Sequence, residues 1–186
     1  LQYLSEQGYR TLTIEEFDKW YRGDIEVPKK SILLTFDDGF RSIKDLVEPL
    51  LIEYNFHVVS FVIGEKIVEP YFVNQTEITE IGKRNFVEFQ SHSFAMHNWA
   101  GNKRGAIETI GATDGAADNE MMKPIVGTAK MFCYPFGHGD GGAQEVLKES
   151  HIPYAVTTAP GLATRGTDPL ALPRVRMNAG VSLKQF

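Results

Sequence analysis

The sequence predicts an α/β domain built on a mainly parallel sheet or barrel. Short apolar runs of strand length alternate with segments whose apolar residues have helical spacing, and Gly, Pro or Asn separate them. This alternation is typical of βαβ units, whose strands run parallel. The predicted strands cover residues 31–36, 56–63, 85–90, 130–134, 154–157 and 171–177, and a short extended piece covers 9–12.

Helix-capping residues and the helical spacing of apolar residues predict the helices between these strands. Thr13 begins a capping box, and Thr76 begins a weaker Thr-x-x-Glu signal. Pro49 predicts a kink, or a fresh helix start at about Glu48, within one longer helical pattern. The predicted helices cover residues 1–7, 13–23, 42–54, 76–83, 142–150 and 182–186, whereas 98–129 has only weak periodicity.

The composition excludes several classes of function. The chain has 186 residues, 42% of them hydrophobic, and a net charge of −5, which suits one globular domain with a sizeable core. The modest negative charge, with no Lys/Arg-rich block, disfavours nucleic acid as a partner. No apolar run reaches the length that a membrane span requires. The single cysteine, Cys133, excludes an internal disulfide framework.

Two adjacent carboxylates follow the first predicted strand of the sheet. Asp37 and Asp38 come directly after the apolar run, and Gly39 follows them. Neighbouring side chains on a strand point to opposite faces, so the two carboxylates share one site only if the backbone turns, which Gly39 permits. Catalytic groups collect at the C-terminal ends of parallel strands. Asp-Asp-Gly is also ordinary turn chemistry, so the motif alone leaves both interpretations open.

Two histidines follow the third predicted strand. His92 and His97 are five residues apart, a spacing that does not place them on one face of a helix, so they converge only if the segment loops. That loop would lie at the same edge of the sheet as the two aspartates. Two imidazoles and one carboxylate are a common set of ligands for catalytic zinc. The alternative is a pair of unrelated loop histidines.

A third motif follows the fourth predicted strand, again at the same edge. Backbone N–H groups in a Pro/Gly turn can face a developing oxyanion, although such a turn often has no function. Cys133 lies inside the apolar strand before it and is expected to be a core residue rather than a nucleophile. The motif consists of Tyr134, Pro135, Phe136 and Gly137.

These motifs together resemble those of a known family. Residues 34–40 (Leu-Thr-Phe-Asp-Asp-Gly-Phe), 91–97 (Ser-His-Ser-Phe-Ala-Met-His) and 134–137 are similar, in order and spacing, to the first three motifs of the polysaccharide deacetylases of the NodB-homology type, carbohydrate esterase family 4. Residues 172–176 (Leu-Pro-Arg-Val-Arg) add to the resemblance. The wide gap between the histidines resembles the branch that acts on poly-N-acetylglucosamine and related cell-surface polymers.

The resemblance implies a fold, a metal site and an activity. The fold would be a distorted (β/α) barrel with fewer strands than a TIM barrel. Asp38, His92 and His97 would hold one divalent metal ion, usually zinc, with cobalt, nickel or iron also accepted. Asp37 would be the general base, and the backbone N–H of Phe136 would help to hold the oxyanion. The enzyme would be a hydrolase of linear amide bonds that releases acetate from N-acetylglucosamine-containing polysaccharide, such as poly-N-acetylglucosamine, peptidoglycan or a chitin-like polymer.

The sequence also departs from the family pattern. It lacks the arginine that many members carry just before the third motif, the Asp-x-x-Asp-Trp motif, and the late Leu-x-His motif whose histidine is the general acid. His138 lies on the correct side but is expected to be an exposed loop residue, and protonated Asp37 could itself return the proton to the leaving amine. Arg174 or Arg176 could take over an orienting role. The segment 101–130 is short where relatives usually have a full helix, so we expect a lost helix or missing residues.

The resemblance also bears on location and partners. We expect one domain over residues 1–186, trimmed at both ends, acting outside the cell or at its surface on an N-acetylated polysaccharide, in an oligomeric state that the sequence does not determine. Two alternatives stay open, namely the same metal site acting on a different amide, and a non-catalytic carbohydrate-binding domain with a decayed site. Phe94, Trp99 and Phe136 could stack on sugars in either case, although buried packing is their expected fate.

Overall fold

A computed structural model of the chain describes residues 1–101, 104–178 and 180–182. Among the described residues, no helix combines the length and the hydropathy that crossing a bilayer requires. The strands are β1 (Arg10–Thr11), β2 (Ser31–Ile32), β3 (Leu34–Phe36), β4 (Val58–Val62), β5 (Val87–Ser91), β6 (Met131–Cys133), β7 (Tyr154–Pro160) and β8 (Leu172–Arg174). The α-helices are α1 (Gln2–Glu6), α2 (Ile14–Arg22), α3 (Glu48–Tyr54), α4 (Gln75–Gly82), α5 (Ala112–Glu120), α6 (Lys123–Val126) and α7 (Gly141–Glu149).

The described strands β3 to β8 form one parallel sheet, in the order in which they follow along the chain. Helices lie in the connections that lead from β3 to β7, as parallel pairing usually requires, whereas a loop joins β7 to β8. The sheet curls into a half-barrel, which confirms the predicted α/β fold of the distorted barrel type. All six strands therefore deliver the residues that follow them to one edge, and the candidate site lies there.

Alternate residues of β4 belong to two different cores. Val59 and Phe61 pack with Phe17 of α2 in one buried cluster. Val58 and Val62 belong to a second cluster, which contains residues of α3 and α4. Side chains on a strand alternate between faces, so both faces of the sheet are covered and its strands read as continuous apolar runs.

The predicted strand over 31–36 is two strands in the structure. Its first part, β2, pairs with β1, and its second part, β3, pairs with β4. Leu33 lies between the two parts, and the residues of β2 and β3 are half-buried or exposed rather than fully buried. A continuous apolar run does not encode which neighbour each half pairs with, so the division depended on tertiary contacts.

Most of the helix signals have the predicted effect. Thr13 and Glu16 form the capping box of α2, and Pro49 lies in the first turn of α3, directly after a π-helical turn over Ile43–Val47. The predicted cap of α4 at Thr76 is wrong, because Asn74 caps that helix through the backbone N–H of Glu77.

The segment between the second and third motifs contains a helix, contrary to the expectation that the helix is lost. The nine residues of α5 pack against α7, and Gly115 makes this approach possible, since a Cβ there would lie 2.6 Å from the Val146 side chain. This helix has many small residues and few large apolar ones, so its sequence lacks the helical periodicity of apolar residues that would have predicted it. The predicted helix over 182–186 lies, apart from its first residue, outside the described residues.

Candidate metal centre

The turn after β3 directs the two aspartates to different partners. Asp38 and Gly39 both have left-handed backbone conformations, with φ of 72° and 77°. A left-handed conformation costs a non-glycine residue about 1–2 kcal/mol, so the surrounding structure must hold Asp38 in place. Gly39 packs against the end of β4, where a Cβ would lie 2.7 Å from Cγ1 of Val62. Adjacent carboxylates can thus belong to one site and still face different groups.

Asp38 meets both histidines at this edge. Its Oδ1 lies 3.4 Å from Nε2 of His92 and 3.6 Å from Nε2 of His97. One ligand atom from each of the three residues lies within 4.8 Å of the other two. For metal–ligand bonds of about 2.0–2.1 Å, a tetrahedral site separates its ligand atoms by roughly 3.3–3.5 Å. The donor set and its spacing therefore fit a divalent metal ion.

The ring of His92 is oriented for this role. His92 is 2% exposed, and its Nδ1 lies 2.6 Å from the backbone oxygen of Cys133. A carbonyl oxygen only accepts hydrogen bonds, so Nδ1 must be the donor, and Nε2, which faces Asp38, is the nitrogen left for a metal ion. A histidine ligand of a metal commonly has its other nitrogen held in this way.

The loop between the histidines is held by residues that the sequence did not single out. The Asp118 carboxylate on α5 accepts hydrogen bonds from the backbone N–H groups of Phe94 (2.7 Å) and Ala95 (2.8 Å). Burial raises the pKa of Asp118, although these two hydrogen bonds oppose the effect. The Ser93 hydroxyl accepts from the N–H of Met96, whose side chain is buried. These contacts bring His97 back towards His92, and no sequence signal marked Asp118, because its helix was not recognised.

Asp37 faces a guanidinium instead of the histidines. Its two carboxylate oxygens accept from Nη1 (2.7 Å) and Nη2 (2.8 Å) of Arg174, the last residue of β8. Arg174 is itself held, since its Nε donates to the carbonyl of Thr157 and its Nη1 to Oγ1 of Thr35. Burial would raise the pKa of Asp37, but the Arg174 guanidinium outweighs burial and holds that pKa below its ordinary value. Arg176, the other candidate, is exposed.

The electrostatic environment differs between the two histidines. Burial and the neighbouring His92 lower the pKa of His97. Burial also opposes charge on His92, but its contacts with Cys133 and with the Asp38 carboxylate outweigh burial and raise the pKa of His92 to about 10. A nitrogen that attracts a proton in this way also attracts a metal cation, and the two compete for Nε2.

The third motif contributes packing and backbone rather than polar side chains. Tyr134 and Pro135 are buried, and the Tyr134 hydroxyl donates to the carbonyl of Leu170. Phe136 has a left-handed backbone, and its ring centroid lies 4.6 Å from that of His97, so this motif borders the ligand set. The participation of Phe136 and Gly137 in an oxyanion site stays a prediction.

Three further residues have the surroundings that the sequence predicts for them. His138 is a partly exposed loop residue that pairs with Glu108. Cys133 is buried, as a core residue should be, and accepts a hydrogen bond from Arg174. Phe94 is half-buried and packs against a core cluster, as expected.

The comparison with protein families identifies the chain. The model of the polysaccharide deacetylase family matches residues 24–155, which is more than half of the chain. The protein therefore belongs to the polysaccharide deacetylase family.

Individual relatives agree with this assignment. YxkH of Bacillus subtilis is 26% identical over 193 residues, which cover 100% of this chain and 65% of YxkH. The poly-beta-1,6-N-acetyl-D-glucosamine N-deacetylase of Staphylococcus aureus (strain MRSA252) is 23% identical over 185 residues, which cover 94% of this chain and 63% of that protein. The chain thus spans just under two thirds of the length of these curated relatives.

Among solved structures, IcaB from Ammonifex degensii is similar with a TM-score of 0.85 and 25% identity, covering 96% of this chain and 81% of that one. The BpsB deacetylase domain from Bordetella bronchiseptica has a TM-score of 0.80 at 21% identity, covering 93% of this chain and 81% of that one, and so supports the fold.

Proposed function

We propose that this protein is a metal-dependent deacetylase that hydrolyses N-acetyl groups of N-acetylglucosamine-containing polysaccharide and releases acetate. The observation that carries the proposal is the convergence of Asp38, His92 and His97 at one edge of the sheet, beside a separate carboxylate, Asp37, paired with Arg174. Family membership and the named activity of the Staphylococcus aureus relative support the substrate class. In this proposal the protein acts as one domain, outside the cell or at its surface.

The metal would be held by Asp38, His92 and His97, with zinc as the first choice and cobalt, nickel or iron as alternatives. A divalent ion there would polarise the acetamide carbonyl and make a water molecule a stronger nucleophile. Three protein ligands leave a coordination position open for this chemistry.

The residues of the chain would divide the proton transfers between them. Asp37, kept ionised by Arg174, takes the proton from the attacking water as the carbon–oxygen bond forms. Each oxygen of Asp37 accepts one hydrogen bond from Arg174 and keeps a further lone pair for that proton. Protonated Asp37 then delivers the proton to the amine nitrogen as the carbon–nitrogen bond breaks. The backbone N–H of Phe136 would donate to the developing oxyanion.

The first test is release of acetate from N-acetylglucosamine oligomers by zinc-loaded protein. Asp37→Asn retains the shape of the side chain but cannot accept the proton, so we expect acetate release to fall by about 10²-fold or more. Asp114→Asn, at an exposed position on α5, is the matched control and should retain full activity.

Chelated protein provides the second arm of the test. We expect removal of the metal to abolish acetate release and its return to restore it. Oligomer binding without acetate release would instead favour a non-catalytic carbohydrate-binding domain. If the protein binds metal but neither binds the oligomer nor releases acetate, other amides become the candidate substrates.

A further inference from the structure

Beside the candidate metal ligands lies a stacked pair of aromatic rings, and the proposed chemistry uses neither ring. The rings of Trp99 and Phe136 stack with centroids 3.7 Å apart and planes 15° from parallel. Trp99 is 55% exposed, although an aromatic ring of this size is usually largely buried. Phe136 in turn contacts the ring of His97, so the pair continues directly from the ligand set.

The backbone fixes this pair before any ligand arrives. Phe136 has φ of 60°, which costs a non-glycine residue about 1–2 kcal/mol and so requires support from its surroundings. Gly137 follows in a similar conformation and lies so close to β7 that a Cβ would come 2.1 Å from Oγ1 of Thr158. Trp99 forms an antiparallel bridge with Gly105. A ring surface that is already formed before binding loses little conformational entropy when a ligand binds.

A polar group lies at the edge of the pair. The ring of His138 is edge-on to Trp99 at 5.8 Å, and its Nδ1 lies 2.8 Å from Oε2 of Glu108. Glu108 has a side chain only 9% exposed, and it also accepts from the backbone N–H of Gly105. Glu108 occupies Nδ1 of His138, which leaves Nε2 for another partner. The positive charge of Arg104 nearby is matched by Asp140 at 2.9 Å.

An open aromatic face with a hydrogen-bonding edge and no surplus positive charge suits a pyranose ring, which presents C–H groups on its face and hydroxyl groups around its rim. A phosphate or an acidic polymer would require surplus positive charge, which Arg104 does not offer because it is paired.

We propose that Trp99 and Phe136, with His138 at their edge, form a binding subsite for the sugar next to the one whose acetamide is hydrolysed. This inference rests on the proposed function and extends it, since the substrate must then be an oligomer or polymer rather than a single sugar. His138 acts here as a specificity-determining residue that Glu108 positions for a sugar hydroxyl.

The test compares substrates of different length. For each variant, kcat/KM is measured with monomeric N-acetylglucosamine and with its pentamer, and the ratio of the two values cancels changes at the metal centre. We expect Trp99→Ala to lower the pentamer-to-monomer ratio by about 10-fold, the loss of roughly one good stacking contact. Trp99→Phe should lower this ratio less than Trp99→Ala does, and Trp20→Phe, in α2, should leave the ratio unchanged.

A binding measurement separates this inference from the proposed activity. The chain has two tryptophans, so Trp20→Phe leaves Trp99 as the only fluorophore of its kind. Pentamer added to metal-free Trp20→Phe protein should change the fluorescence of Trp99 with saturation, and His138→Ala should weaken that binding by several-fold. Saturable binding without acetate release under any condition would overturn the proposed activity but support the subsite. Acetate release with the same pentamer-to-monomer ratio in Trp99→Ala and in the wild type would overturn the subsite alone.

Discussion

Replacing Arg174 should separate the orientation of the general base from metal binding. Arg174→Met removes both hydrogen bonds to Asp37 together with the bonds to Thr35 and Thr157, while preserving most of the side-chain volume. Removing one partner of a fully buried ion pair costs about 3–5 kcal/mol. The Asp37 side chain is 35% exposed, so water replaces part of the loss, and we expect the free energy of unfolding to fall by about 2 kcal/mol.

The effect on catalysis should be larger than the effect on binding. In Arg174→Met the Asp37 carboxylate loses the guanidinium that holds it, and a misplacement of about 1 Å can reduce the rate by roughly 10²-fold. We therefore expect kcat for acetate release to fall by about 10²-fold, which corresponds to about 2.7 kcal/mol of barrier. KM and zinc affinity should change little, because Arg174 contacts Asp37 rather than the proposed ligands Asp38, His92 and His97.

The assay measures acetate release at saturating oligomer, together with zinc affinity from competition with a chelating dye. Arg174→Lys keeps the charge but not the two-pronged geometry, and it should lie between the wild type and Arg174→Met. Arg176→Met, two residues away and exposed, is the matched control. A folded Arg174→Met protein with kcat within about threefold of the wild type would refute the orienting role. A loss of zinc affinity as large as the fall in kcat would show that Arg174 acts through the proposed metal ligands instead.

Three further predictions test the site and its support. Zinc at about 100 times its dissociation constant should stabilise the protein by about 2.7 kcal/mol in thermal unfolding, and an equal shift in Asp38→Asn would contradict the ligand assignment. Asp118→Asn should lower zinc affinity by about 10-fold in calorimetric titration, through the loop it holds, and an unchanged affinity would show that the loop needs no such support. Burial alone would raise the pKa of Glu77, but Lys44 and Arg41 outweigh burial and lower that pKa. The ionised form of Glu77 therefore stabilises the fold above the ordinary carboxyl pKa. This contribution is lost as the pH falls through the lowered pKa. Urea unfolding should therefore show Glu77→Gln less stable than the wild type by about 1–3 kcal/mol at pH 7 and by much less at pH 3, and a pH-independent difference would contradict this account.

Local sequence patterns predicted most elements of the fold. The apolar runs predicted the strands β4 to β8 because both faces of a parallel sheet are covered, and the capping box at Thr13 predicted a helix start from neighbouring residues alone. The sequence did not predict α5, because this helix packs closely through small residues such as Gly115 and has no stripe of large apolar side chains.

The candidate site was predicted in part for the same reason. Asp37, Asp38, His92 and His97 each follow a strand, and parallel strands deliver such residues to one edge whatever the details of packing. Their positions at the strand ends thus favoured a metal site, whereas the division between Asp38 as a ligand and Asp37 as a separate carboxylate was predicted from the family resemblance.

The groups that support the site depended on tertiary structure. The sequence left Arg174 and Arg176 both open as orienting residues, and only the structure shows that Arg174 reaches Asp37, 137 residues away. Asp118 reaches the histidine loop from a helix that no pattern marked. The sequence by itself determined which residues stand at the ends of the strands, because strand boundaries are local properties. Which distant side chain orients each of them, and which aromatic rings stay exposed beside them, was decided only by packing, because those contacts form when the sheet curls and brings β8 back towards β3.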